Sequence, residues 1–150
     1  MDRSIQVRPF EPRYLDRLVA IERSAFGDDA WDRRLLCDYA QAAPDTFLVA
    51  RRGRRLAGYL ITVVSDNSRA AELVSIAVDP RERRYGVGTV LMDASRAQLQ
   101  LRKVKTWRLM VATENQAAMC FYLRYGFRRT GKVKRYYGAG RDAYRMRMGV

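Results

Sequence analysis

The chain has 150 residues, 48% of them hydrophobic and 11% aromatic; the length suits one domain and the apolar share excludes global disorder. It has no histidine, which excludes Ser-His-Asp and Cys-His catalysis and a Cys/His zinc set, so acid–base chemistry falls to carboxylates, Tyr, Lys, Cys or water and no metal is expected. The net charge of +13 is uneven: residues 1–50 hold 7 basic and 9 acidic side chains, residues 51–100 hold 9 and 5, and residues 101–150 hold 13 and 2.

A short strand over Ile5 and Val7 ends at Pro9, and Asp16 to Phe26 then places Leu15, Leu18, Val19, Glu22 and Phe26 at helical spacing. A second helix is expected after Asp29, with Trp31, Leu35, Leu36 and Tyr39, stopped by Pro44. A hairpin follows: T-F-L-V-A-R from Thr46, the turn R-R-G-R, and L-A-G-Y-L-I-T-V-V from Leu56. The run E-L-V-S-I-A-V, Glu72 to Val78, reads as a strand buried on both faces. After Asp79-Pro80 and R-E-R-R-Y-G-V-G, a helix is expected to about Leu101. Then come a strand over Trp107 to Ala112, a helix over Asn115 to Arg124, and strands to about Val133 and over Ala143 to Met148.

This order, β-α-α-β-β-β-α-β-α-β-β, predicts an α+β (three-layer) domain with a mixed, mostly antiparallel sheet of about seven strands and helices on both faces. No repeat and no Pro/Gly/Ser-rich linker divides the chain, so residues 1–150 are expected to form a single domain. The N-terminus lacks an apolar signal segment and no run is long enough to span a membrane, which points to the cytoplasm. Cys37 and Cys120, both in helical apolar patterns, are expected to be reduced core thiols. The basic C-terminal half would attract a polyanion: nucleic acid, ribosome, anionic membrane or a phosphorylated cofactor.

The stretch R-R-Y-G-V-G, Arg83 to Gly88, lies between a buried strand and a helix. There a loop can aim backbone N–H groups at a phosphate, with the helix dipole and the arginines adding charge and glycine allowing close approach. It is neither a Walker A loop nor the dinucleotide fingerprint, because no Gly-Lys-Ser/Thr follows and Leu91 stands at the third glycine position. A glycine turn without a ligand satisfies the same residues.

In its context the stretch resembles a family signature. S-I-A-V-D-P-R-E-R-R-Y-G-V-G-T-V-L-M is similar to the GNAT acetyltransferase block in which a strand precedes R/Q-x-x-G-x-G/A, matched by Arg83, Gly86 and Gly88. E-N-Q-A-A-M-C-F-Y-L-R-Y-G-F resembles the family's second block, with Asn115, Tyr122, Gly126 and Phe127 in place. K-R-Y-Y-G-A-G-R-D-A-Y-R-M resembles the end of the ribosomal-protein alanine N-acetyltransferase (RimI-like) type, with Tyr136-Tyr137 as its tyrosine pair. The resemblance covers essentially the whole chain.

It implies acetyl-CoA as co-substrate. Ile76, Ala77 and Val78 would meet the pantetheine arm and acetyl group, Arg83, Arg84, Tyr85, Gly86, Val87, Gly88 and Thr89 the pyrophosphate, and Asn115 the pantetheine. Tyr122 would protonate the leaving thiolate, and Tyr136 and Tyr137 would line the groove of a peptide acceptor. The base departs from the RimI-like pattern: their glutamate in L-E-V-R is Met110 here, in L-M-V-A. Glu72, where A-E-L-V resembles the A-E-I-V of histone acetyltransferases, is the expected substitute; Glu114 suits helix-dipole support better.

The acceptor implied is a protein N-terminal α-amine, with a ribosomal protein as one candidate, and the protein a monomer or homodimer without membrane or nucleic-acid substrate. A lysine side chain or small amine is the alternative, served by acidic Glu22, Asp28, Asp29 and Asp32. A basic ribosome- or nucleic-acid-binding module with weakened catalysis is the third reading.

Overall fold

In a computed structural model, residues 4–150 are described; residues 1–3, part of the stretch read for a leader, lie outside them. Seven strands form one sheet in the order β1-β2-β3-β4-β5-β7-β6. The contacts divide the chain into two compact units, one of residues up to 63 with 75–98 and one of 64–74 with 99–150.

In the first unit, β1 (Ile5–Pro9) pairs antiparallel with β2 (Phe47–Arg52), and β2 with β3 (Arg55–Val64), the register shifting between Ala50 and Arg51. Helix α1 (Leu15–Phe26) buries Leu18, Ile21 and Glu22; of the stripe read from the sequence, Leu15, Val19 and Phe26 are half-buried, and Glu22 carries a carboxylate inward. Helix α2 (Arg33–Ala42) begins three residues later than the sequence suggested, which leaves Trp31 before its start. Gly27–Asp29 forms a separate 3-10 turn, and Asp32 caps α2 by accepting from the Leu35 N–H at 2.9 Å. Leu18, Ile21, Leu36, Phe47, Tyr59 and Leu91 are fully buried here.

Continuous burial belongs to β3, not to β4 (Ala70–Val78) as the sequence run implied: Leu56–Thr62 is buried without a break, whereas β4 alternates. Glu72 is exposed and Val74, Ile76 and Val78 are half-buried on one face of β4, while Leu73, Ser75 and Ala77 are buried on the other.

In the second unit, Ala70–Glu72 of β4 runs parallel to Thr106–Arg108 of β5 (Thr106–Ala112), and β5 pairs along its length with β7 (Ala143–Gly149). β6 (Arg128–Val133) pairs with β7, irregularly between Arg129 and Gly131. Helix α4 (Gln116–Tyr125) is capped by Asn115, whose Oδ1 accepts from the Ala118 N–H at 3.2 Å. Trp107 is the fully buried centre, its ring 5.5 Å from Phe127 and 6.4 Å edge-on to Tyr125.

Both cysteines are free, but they are not core residues as expected: Cys37 is half-buried on α2 and Cys120 is exposed on α4. Helical spacing places them on helices without fixing how far each turns from the core. Among the described residues no helix is long and apolar enough to cross a membrane.

Candidate active site

The loop after β4 is built from its strand end outward. The Asp79 N–H donates to the Ala57 carbonyl at 2.7 Å, holding the end of β4 to β3. Gly58 lies at that contact, where a Cβ would stand 2.6 Å from the Ala77 carbonyl oxygen. The Asp79 carboxylate is buried, caps the following 3-10 turn (Pro80–Tyr85) through the Arg81 N–H at 2.9 Å, and pairs with Arg17 and Arg81. Burial opposes its ionisation, but the hydrogen bonds from Arg81 and the charge of Arg17 outweigh it and hold the carboxyl below its usual value.

Glu82 is buried in the same turn and pairs with Arg52 of β2, whose guanidinium lies 3.5 Å over the Tyr85 ring. The turn ends at Gly86, with φ +73° and ψ 22°, a left-handed conformation in which glycine avoids the Cβ penalty.

Helix α3 (Val87–Leu101) starts at once, its Val90 N–H bonding the Gly86 carbonyl. The N–H groups of Val87, Gly88 and Thr89 precede the helix's own acceptors and can meet an anion. Arg83, Arg84, Tyr85, Gly86 and Thr89 are exposed. The sequence-predicted cradle therefore has a glycine where φ demands one, free donors at a helix start, and two exposed arginines beside them. Those features fit a pyrophosphate. A cavity of about 580 Å³ in the same unit is lined by five arginines, Tyr14 and Leu56.

The second unit gathers the proposed proton-transfer residues. A cavity of about 370 Å³ is lined by Glu72, Arg108, Leu109, Met110, Arg145 and Arg147. The register explains it: Glu72 faces Arg108 across β4 and β5, Arg108 faces Arg147, and Met110 faces Arg145 across β5 and β7. Glu72 and Met110 thus share one cavity.

Tyr122 is buried on α4 between the rings of Phe121 (5.6 Å) and Phe127 (5.9 Å). Burial and, secondarily, Tyr137 push its hydroxyl well above the usual tyrosine value. The Tyr-x-x-x-Gly-Phe spacing has a local cause. Gly126 closes α4 at φ +127°, and the Phe127 N–H returns to the Tyr122 carbonyl at 3.0 Å.

The β6–β7 turn carries Tyr136 and Tyr137, both exposed and packed edge to face at 4.9 Å. The Tyr137 hydroxyl donates to the Met110 carbonyl at 3.4 Å, which brings the tyrosine pair to the cavity. Asp142 orders the turn by accepting from the Arg135 N–H at 2.9 Å, with Lys132 3.5 Å away. That backbone hydrogen bond, against an opposing burial effect and with help from Lys132, lowers its carboxyl below the usual value. Glu114 pairs with Arg141 at 3.2 Å, so it ties the start of α4 to this turn. The Asn115 carbonyl oxygen is committed to its cap, which leaves the side-chain N–H₂ for a ligand.

The acetyltransferase (GNAT) family matches residues 12–127. The chain belongs to the GNAT acetyltransferase family. It is 33% identical to the N-alpha-acetyltransferase RimI of Mycobacterium tuberculosis over 137 residues, which cover 87% of this chain and 84% of that one. The crystal structure of Ard1 from Thermoplasma volcanium superposes with a TM-score of 0.90 at 29% identity, covering 97% of both chains. That of the ribosomal-protein-S18-alanine N-acetyltransferase from Escherichia coli gives 0.85 at 25% identity, covering 98% and 94%.

In this GNAT enzyme, two of the four acids considered from the sequence for an acceptor pocket, Asp32 and Glu22, have other contacts. Asp32 is spent on its cap and Glu22 is 1% exposed. Glu22 accepts from the Trp31 N–H at 2.8 Å and from the Tyr59 hydroxyl, which also meets Ser75 Oγ at 3.2 Å. Desolvation, only partly offset by the Trp31 hydrogen bond, raises the Glu22 carboxyl to about 7. Sequence reasoning also missed Gly58 and the arginines of the cavity. The period-two pattern R-L-M in β5 and R-M-R in β7 was their signal.

Proposed function

We propose that the whole chain works as one acetyltransferase domain, moving acetyl from acetyl-CoA to the α-amino group of a protein N-terminus in the cytoplasm. Relatives named for N-terminal or ribosomal-protein alanine acetylation support this reading. The observation that carries it is the cavity holding Glu72 and Met110, with Tyr137 hydrogen-bonded to the Met110 carbonyl. Of the two positions that the family resemblance marks for a base, only residue 72 holds a carboxylate here.

Bound acetyl-CoA would supply an acetyl thioester. The loop Arg83–Thr89 holds its pyrophosphate, and the backbone of Ile76–Val78 and the Asn115 amide hold the arm. Glu72, the carboxylate that shares a cavity with Met110, takes the ammonium proton through a chain of ordered water. An α-amine with a pKa of about 8 needs no stronger base. As the new N–C bond forms, the Val78 N–H stabilises the oxyanion. The C–S bond then breaks. Tyr122, kept protonated by its burial, donates a hydrogen bond to the departing thiolate, which takes its proton from solvent.

The test is a panel of peptides with free N-termini, blocked N-termini and small amines, following CoA release. Acetylation confined to small amines would remove the acceptor claim. Glu72→Gln should lower turnover and change the pH–rate profile; an unchanged rate and profile would remove Glu72 as the base.

A further inference from the structure

Arg108, Arg145 and Arg147 line the same 370 Å³ cavity as Glu72. Opposed residues on paired strands have Cα atoms about 5 Å apart, so three guanidinium stems rise from one small patch of sheet. The row extends along the register from Glu72 to Arg108, Arg147 and Arg128. All four arginines are exposed. Among the described residues none of Arg108, Arg145 and Arg147 forms an ion pair, whereas Arg17, Arg52, Arg81 and Arg141 are each matched to a carboxylate. Like charges gathered without partners destabilise one another, and the cost is relieved when a carboxylate docks. Basic side chains in the residues following the acceptor amine would meet repulsion from the same wall.

We propose that this arginine wall is a specificity subsite for acidic acceptor sequences. Asp or Glu side chains in the residues following the acceptor α-amine pair with Arg108, Arg145 and Arg147 while the amine sits toward the acetyl group. The inference rests on the N-terminal acetylation reading and adds the substrate class. Guanidinium pairs carboxylate in a two-pronged, planar fashion, which gives orientation as well as attraction. Partly exposed pairs contribute modestly one by one, so two together give about a tenfold preference.

The experiment compares peptides that all begin with Ala and carry acidic, neutral or basic residues at the next three positions. Acetylation kinetics are measured for the wild-type chain, for Arg145→Gln, Arg147→Gln and their double variant, and for Arg124→Gln on the exposed face of α4 as a charge control. Binding of a single-stranded RNA oligonucleotide is measured in parallel. The expected result is a KM about tenfold lower for the acidic than for the neutral peptide, with similar kcat. That ratio falls toward one in the double variant and is retained in Arg124→Gln. Equal use of all peptides, or preference for the basic one, would overturn the charge inference and leave N-terminal acetylation standing. Failure on every peptide with turnover of small amines would overturn both. RNA binding lost in the double variant, without peptide discrimination, would assign the wall to phosphate.

Discussion

Two buried acids of opposite use stand out at the scale of single residues. Tyr122 is held between aromatic rings and keeps its proton at every working pH. A phenol shifted upward is a weaker acid than a thiol of about 8.5, so in the proposed mechanism its contribution is a hydrogen bond made as sulfur charge develops. Tyr122→Phe should therefore lower kcat about tenfold or more with little change in KM for acetyl-CoA. Steady-state kinetics with the coenzyme varied would show it, and a rise in KM with kcat intact would assign the hydroxyl to binding instead.

Glu22 has no place in the proposed transfer step, and it links the segment around Trp31 to β3 and, through Tyr59, to Ser75 of β4. Its folded value of about 7 lies above the unfolded 4.5. Between those values the folded chain holds a proton that the unfolded chain has released. Stability must fall as pH rises through that window, by about 3 kcal/mol in all. The lowered carboxyls of Asp79 and Asp142 act in a separate range, adding stability above about pH 4 and losing it below. Denaturant titrations from pH 5 to 8 should show a declining wild-type stability that Glu22→Gln flattens. Parallel curves for the two proteins would refute the titration.

At the scale of elements, the loop after β4 and the strand beside it constrain glycine for different reasons. Gly86 needs its positive φ and has open space around a would-be Cβ. Alanine there costs about 1 kcal/mol of local strain, and it should raise KM for acetyl-CoA severalfold by tilting the donors at the start of α3. Gly58 has ordinary φ, but a Cβ would press on the Ala77 carbonyl. Alanine there must displace backbone, so it should cost stability as well as coenzyme affinity. Thermal melts and coenzyme titrations on both variants separate the two causes.

This contrast also marks how far the sequence could be read. Gly86 was legible because G-x-G after a strand is a local signal, and the element order and strand limits followed from period and punctuation. Gly58 was not, because its constraint comes from a strand distant in sequence. The same holds for burial. The run Glu72–Val78 reads as doubly buried, but β3 takes that place, since which strand is covered on both sides depends on what packs over it. Glu22 fell on the apolar stripe of α1 in the sequence itself, yet only the meeting with Trp31 and Tyr59 made it a buried acid.

For the whole molecule, the question is whether the charge of +13 serves a partner or the reaction. The second unit is strongly basic, with 13 Lys and Arg against 2 Asp and Glu in residues 101–150. Acetyl-CoA is a polyanion, and an acidic acceptor adds more negative charge. A field of this sign raises encounter with both and is screened within about 10 Å at 0.1 M salt. Raising ionic strength from about 50 to about 300 mM should therefore increase KM for acetyl-CoA and for acidic peptides several times over, with kcat unchanged. A short acetyl thioester without phosphates isolates the cause: its KM should stay flat across the same series. A KM that rises equally for the uncharged thioester would mean that salt perturbs the fold or the acyl site. In that case the charge would belong to some other partner rather than to the transfer itself.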